Sequence, residues 1–298
     1  CGKVMGLSAY GNIKDPKKDW RLHFEGIPQV ALESLPNRDF NYGNLSAENK
    51  AKQLQYNFEN AMLEWMKELG FKRFKISNPF FYEEGSEGLK KLEEHVAQSR
   101  EIVGEDAELT FNPVMSFNTD LALRVAERLR PYNLRWFEEP LPPWDLEGYV
   151  ELKRAMTWTA LATGEHHYGR KSFHQLISAR AADILQPDIE YTGGLSETLK
   201  VYTNAEAAGI ETITHMGGNT AWGQHFAMSM PESSLAEWFM HTNIGQPLGD
   251  RLLPGVSTPE NGTVTPSDAP GFGLEIPEDW IVPWEHGNQV RVTYLSPK

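Results

Sequence analysis

Two periods alternate along the chain. Short runs rich in β-branched and aromatic residues are each followed by a longer run whose apolar residues recur every three to four positions. Phe71–Ile76, Glu108–Phe111, Leu134–Phe137, Thr159–Thr163, Ile184–Gln186, Glu211–Thr214 and Leu235–Trp238 read as strands. Gly88–Ile102, Thr119–Leu129, Leu146–Ala155, Ser172–Arg180, Leu195–Ala208 and Thr220–Met228 read as the helices between them. Arg21–Ala31 supplies a first strand and Glu48–Leu69 the helix after it. Strands and helices in strict alternation predict an α/β fold, a parallel sheet with crossover helices. Seven or eight such units closing on themselves predict a TIM-type (β/α) barrel. The pattern divides the chain into a linker over 1–20, a barrel over 21–247 and a Pro- and Gly-rich tail over 248–298.

Length and composition narrow this picture. The 298 residues accommodate one barrel plus an extension, without a second full domain. A net charge of −13 argues against a nucleic-acid surface, which needs clustered Lys and Arg. It does not exclude an anionic small-molecule substrate, because a bound cation reverses the sign of a pocket locally. The single cysteine, Cys1, allows no internal disulfide and suits a cytoplasmic setting. No apolar run is long enough to span a membrane, and no signal peptide is visible. The chain opens at Cys1-Gly2-Lys3 without Met, which suggests that sequence upstream has been lost.

In a barrel of this kind the C-terminal ends of the strands carry the chemistry. Reading each strand to its end gives Lys75, Asn112, Glu138, Glu165, Asp188, His215 and Glu237, one polar residue per β/α unit. Carboxylates on neighbouring strands beside a third polar group form the oxygen cage that a hard cation requires. Without a cation they would repel one another.

The residues around these positions carry a resemblance. Trp136-Phe137-Glu138-Glu139-Pro140 closes one strand and Gly164-Glu165-His166-His167 the next. Gln186-Pro187-Asp188 with Gly193-Gly194, and Thr214-His215-Met216-Gly217-Gly218, close the two after that. Together with Pro270-Gly271-Phe272-Gly273, this series resembles the enolase superfamily in its mandelate-racemase-like branch, and within it the acid-sugar dehydratases of rhamnonate-dehydratase type.

The resemblance implies a mechanism. Mg²⁺ binds the carboxylate of a sugar acid, a base removes the α-proton, and the β-hydroxyl leaves to give a 2-keto-3-deoxy acid. Position by position it makes Glu138 and Glu165 metal ligands, His215 the base, Asp188 its partner and Glu237 a protonated donor to the oxyanion. Lys75 and His166 become substrate contacts. Ser77 stands where racemases carry a second Lys, which favours elimination over racemisation. The family's first ligand is an Asp, and here Asn112 occupies its place, offering an uncharged oxygen and weaker Mg²⁺ binding. The family's N-terminal α+β capping domain is expected to be missing, and assembly into a homo-oligomer is expected.

Blander readings stand beside these. A Glu at a strand end can cap a helix, Glu139 should point away from the site by strand alternation, and Gly193-Gly194 suits a tight turn better than a phosphate loop. Two other functions compete: a catalytically silent homologue, favoured by Asn112, and a barrel glycosidase using paired carboxylates, in which Glu165 has no role.

Overall fold

The computed structural model describes residues 2–5, 59–78, 84–233, 235–242, 244–250 and 252–281. The strand expected within Arg21–Ala31 and the first part of the helix expected over Glu48–Leu69 lie outside the described residues. The described chain begins with β1 (Gly2–Met5) and the helix 59–68, α1. There follow β2 (Arg73–Ser77), α2 (Gly85–Val103), β3 (Glu108–Asn112), α3 (Thr119–Leu129), β4 (Leu134–Glu138), α4 (Leu146–Ala155), β5 (Ala160–Thr163) and α5 (Gly169–Ala179). After these come β6 (Ile184–Leu185), the single turn α6 (Ile189–Thr192), α7 (Leu195–Ala207), β7 (Glu211–Thr212), α8 (Ala221–Ser229), β8 (Leu235–Glu237) and β9 (Thr263–Val264).

Strands β2 to β7 pair in sequence order, all parallel, as βα repeats require. The ring is completed by β8 and β1, which pair in parallel through Lys3 opposite Leu235 and Met5 opposite Glu237. β1 also lies against β2, and Gly218 N donates to Glu237 O at 2.6 Å to join the β7 end to β8. The stretch expected to be a linker therefore contributes a strand. Four residues are too few for a legible period, so this strand left no signal in the pattern.

The helices follow from sequence. In α3, Ala122, Val125, Ala126 and Leu129 form one buried stripe. Asn118 caps it by accepting from Leu121 N at 2.9 Å. Asp145 caps α4 in the same way through Gly148 N at 3.0 Å. The helices pack onto the outer face of the strands, where Phe74, Ile76, Leu109, Phe111, Phe137 and Leu161 join the main core. A second core of Trp136, Ala162, Ile184, Ile213 and Leu235 fills the barrel interior. Burying each large side chain of this set contributes about 1.5–3 kcal/mol.

The N-terminal ends of the strands are joined by ion pairs. Glu108 accepts from Arg73 Nε at 2.9 Å and from the Arg135 guanidinium, which also lies 3.4 Å from Glu211. Partial burial opposes the charge on Glu108, but Arg135 and Arg73 outweigh it and hold the carboxyl below its usual range. A carboxyl depressed in the folded state contributes stability above its unfolded pKa and loses it as pH falls through the folded one. Glu108→Gln should therefore lower the melting temperature at pH 7 by about 2 °C, a modest effect because the pairs are partly solvated. The gap to the parent should close as the pH falls below the carboxylate range. A gap independent of pH would assign the loss to packing.

Candidate active site

Above the interior core, the C-terminal ends of the strands converge on a charged layer. Lys75 on β2 is fully buried, with Nζ 2.7 Å from Glu138 Oε1 and in direct contact with Glu237 Oε1. Burial alone would discharge this amine, but the two carboxylates reverse that and hold its pKa above the usual lysine range. Glu138 also accepts from Asn112 Nδ2 at 2.8 Å, Trp136 Nε1 at 2.9 Å and Gln186 Nε2 at 2.9 Å.

Glu237 is buried, which alone would favour its neutral form. Lys75 and His215 outweigh the burial, and with Met216 N, donating at 2.9 Å, they lower its pKa. The carboxyl is therefore ionised. The expected role of Glu237 as a donor to an oxyanion requires a protonated carboxyl, and its contact with Lys75 favours the ionised form.

Asp188 and His215 end β6 and the β7 segment, bridged in parallel register. His215 Nδ1 lies 2.8 Å from Asp188 Oδ2, and its Nε2 is turned toward Glu165 Oε1 at 3.3 Å. Asp188 is fixed in turn, because its Oδ1 caps α6 by accepting from Glu190 N at 2.8 Å and Tyr191 N at 3.0 Å. Burial would lower the pKa of His215, but Glu237, Asp188 and Glu165 overcome it and push the imidazole up to about 9.

The residue that sequence reasoning missed is Glu139. Its backbone has φ of 38°, so the chain leaves the strand in a left-handed turn and the alternation of faces stops there. The buried carboxylate accepts from Gly164 N at 3.1 Å and lies 2.6 Å from His166 Nδ1. Hydrogen bonding to Glu139 raises the pKa of His166, against its own burial. His166 Nε2 is 3.9 Å from Glu165 Oε1. Glu139, Glu165 and His166 bring one ligand atom each within 4.8 Å of one another.

The expected residues are thus brought to one mouth, but in two groups. Asn112, Glu138, Lys75 and Glu237 form a hydrogen-bonded corner; Glu165, Asp188, His215 and His166, joined by Glu139, form the other. Glu165 is the expected metal ligand that stands in the cluster suited to a cation. Five carboxylates, Glu138, Glu139, Glu165, Asp188 and Glu237, crowd this layer beside Lys75, His215 and His166. The carboxylates of Glu139 and Glu165 are the hard oxygen donors that a divalent cation needs. Asn112 and Glu138 do not fit the same ion as they stand, since they bond to each other.

Gly164, with φ of 138°, lets this second group form: a Cβ there would meet Gln186 N at 2.8 Å and the Phe173 ring at 2.9 Å. Gly164→Ala should cost about 1–3 kcal/mol and displace Glu165. Thermal melting alongside the neighbouring Thr163→Ser substitution measures this, and an unchanged melting temperature would show that the turn tolerates a side chain.

Comparison with known proteins agrees with this architecture. Residues 57–280 match the family described as enolase C-terminal domain-like. An L-rhamnonate dehydratase from Saccharopolyspora erythraea is 35% identical over 214 residues, covering 70% of this chain and 54% of that protein. The structure of rhamnonate dehydratase from Gibberella zeae complexed with Mg superposes with a TM-score of 0.67 at 32% identity, covering 72% of this chain and 54% of that one. A racemase from Streptomyces coelicolor A3(2) with bound magnesium gives a TM-score of 0.62 at 27% identity, covering 73% of this chain and 57% of that one. This chain spans about half the length of the relatives it matches. With parallel strands ringed by helices and the Glu165, Asp188 and His215 positions at successive strand ends, it belongs to the enolase C-terminal domain-like family of the enolase superfamily.

Proposed function

We propose that this chain is a magnesium-assisted acid-sugar dehydratase acting on an aldonate of the rhamnonate type. The observation that carries the reading is the buried Asp188–His215 pair with its Nε2 directed at Glu165, in the middle of the mouth. The relatives named as rhamnonate dehydratases supply the substrate class. Glu139 and Glu165, with His166, would hold the ion. When bound it supplies positive charge against which a substrate carboxylate rests, making the α-carbon more acidic.

The protein's own groups account for the remaining steps. Asp188 accepts a hydrogen bond from His215 Nδ1–H, which fixes the tautomer and leaves Nε2 to take the α-proton. The C–H electron pair becomes a C=C bond as the β-hydroxyl departs, and the hydroxyl takes the proton from Nε2 and leaves as water. The resulting enol becomes the 2-keto-3-deoxy acid. Lys75, held charged between Glu138 and Glu237, would act through its positive field on the negative charge that accumulates on the substrate carboxylate. His166, half-exposed, would meet the ion through Nε2 in its neutral form, with Nδ1–H donating to Glu139.

The test supplies L-rhamnonate and a panel of other aldonates with Mg²⁺ and follows 2-keto-3-deoxy acid formation. Turnover should disappear with chelator, and His215→Asn should lower kcat by about 10²- to 10⁴-fold. Folded protein that converts no aldonate in Mg²⁺ would sink the reading and put the silent homologue in its place, the alternative that Asn112 favours.

A base works only in its neutral form. In pre-steady-state proton abstraction the rate should climb with pH toward about 9, the position to which His215 is pushed. Asp188→Asn removes an anion that stabilises the imidazolium, so the inflection should move to lower pH. An inflection that stays in place in this variant would assign the titration to another group.

A further inference from the structure

Glu138 has no acceptor capacity left. An ionised carboxylate offers about four lone-pair positions, and four donors take them. Lys75 Nζ at 2.7 Å and Asn112 Nδ2 at 2.8 Å bind Oε1, while Trp136 Nε1 and Gln186 Nε2, both at 2.9 Å, bind Oε2. Asn112 is also committed at both ends, because its Oδ1 accepts from Val114 N at 2.7 Å. Turning the amide over would set an oxygen against the carboxylate and an NH₂ against an N–H, so the network fixes its orientation. Val114 holds φ of 52°, a costly value for a β-branched residue, and its bond to Asn112 helps hold the turn.

We infer that Asn112 and Lys75 close the Glu138 corner of the mouth to a cation, so that Asn112 acts as a positioning residue for Glu138 and not as a metal ligand. The amide donor and the ammonium do at Glu138 what an ion would otherwise do: they neutralise the carboxylate and fix its direction. An ion is then confined to the Glu165 side. Asp at position 112 would keep the acceptor for Val114 N but replace the donor with a second carboxylate oxygen facing Glu138. Lys75 is already shared with Glu237, so the new anion would be left to a cation to balance. The inference rests on the acid-sugar reading only for the choice of Mg²⁺ as the probe ion.

The test uses calorimetric titration with MgCl₂ and melting in EDTA on the parent chain, Asn112→Asp and Glu138→Gln, with no assay of turnover. Asn112→Asp should melt at least about 3 °C below the parent in EDTA and bind Mg²⁺ about tenfold more tightly, because ligand charge sets affinity. Glu138→Gln should bind Mg²⁺ within about threefold of the parent, since Glu138 is not a ligand. Asn112→Asp that folds only when Mg²⁺ is present supports the inference in another form. A folded Glu138→Gln that has lost the parent's Mg²⁺ binding overturns it. So does an Asn112→Asp protein that matches the parent in both measurements. If neither the parent nor any variant binds Mg²⁺, the ion in the proposed reaction is lost, while the EDTA melting of Asn112→Asp still decides the role of Asn112.

Discussion

The mouth of this barrel depends on one buried ammonium. Lys75 sits inside the ring with almost no solvent contact, and the desolvation of such a group costs several kcal/mol unless it is paired. It is paired twice, with Glu138 and Glu237, from strands on either side of β2 in the closed ring. The pairing holds Glu237 ionised, and an ionised Glu237 is the largest attraction acting on His215. His215 in turn faces Asp188 and Glu165, and Glu165 faces His166. Acidic and basic groups thus lie next to one another around the mouth from this single cation onward. Replacing Lys75 by a neutral residue would leave two buried carboxylates without their counter-ion and alter the titration of residues that it does not touch.

The backbone completes what the charges begin. The chain leaves three strands through left-handed residues: Val114 and Met115 after β3, Glu139 after β4, and Met216 after the β7 segment. Two of these turns aim an amide back at the layer, where Val114 N meets Asn112 and Met216 N meets Glu237. Glycine supplies the same service at Gly164, whose N–H meets Glu139. Fixed dipoles of this kind stabilise negative charge without any reorganisation. They also let consecutive residues face the same site, as Glu138 and Glu139 do, which a regular strand forbids.

That geometry explains what the sequence could and could not tell. The helices and most strands were legible because apolar residues repeat with the period of each element; α3 and α4 begin and end where the pattern placed them. The charged layer was legible because one polar residue closes each unit. β1 was not, since four residues carry too little pattern against the extended pairing that places them beside β8. Glu139 was not, because a period of two holds only while the backbone stays extended. Its one signal was the doubled Glu before Pro140, which alternation assigns to opposite faces. The protonation of Glu237 was beyond reach for a different reason: it depends on a lysine 162 positions away in the chain, brought into contact only by closure of the ring.

Asn112 shows how far one such position can shift the electrostatics of its site. Amide and carboxylate have nearly the same shape, so β3 and the turn at Val114 would accept either. The exchange of an oxygen for an NH₂ nevertheless turns a repulsion from Glu138 into an attraction and removes one negative charge from the layer. With the amide in place, the corner around Lys75 holds two carboxylates instead of three against one ammonium, and Glu138 has its acceptors filled without an ion. The same barrel can thus hold its acid cluster together in two ways, by an ion shared among carboxylates or by hydrogen bonds that relieve one carboxylate of the need for it. The contacts of Glu138 place this chain in the second arrangement on the Lys75 side, and the cluster of Glu139, Glu165 and His166 leaves the first open on the other.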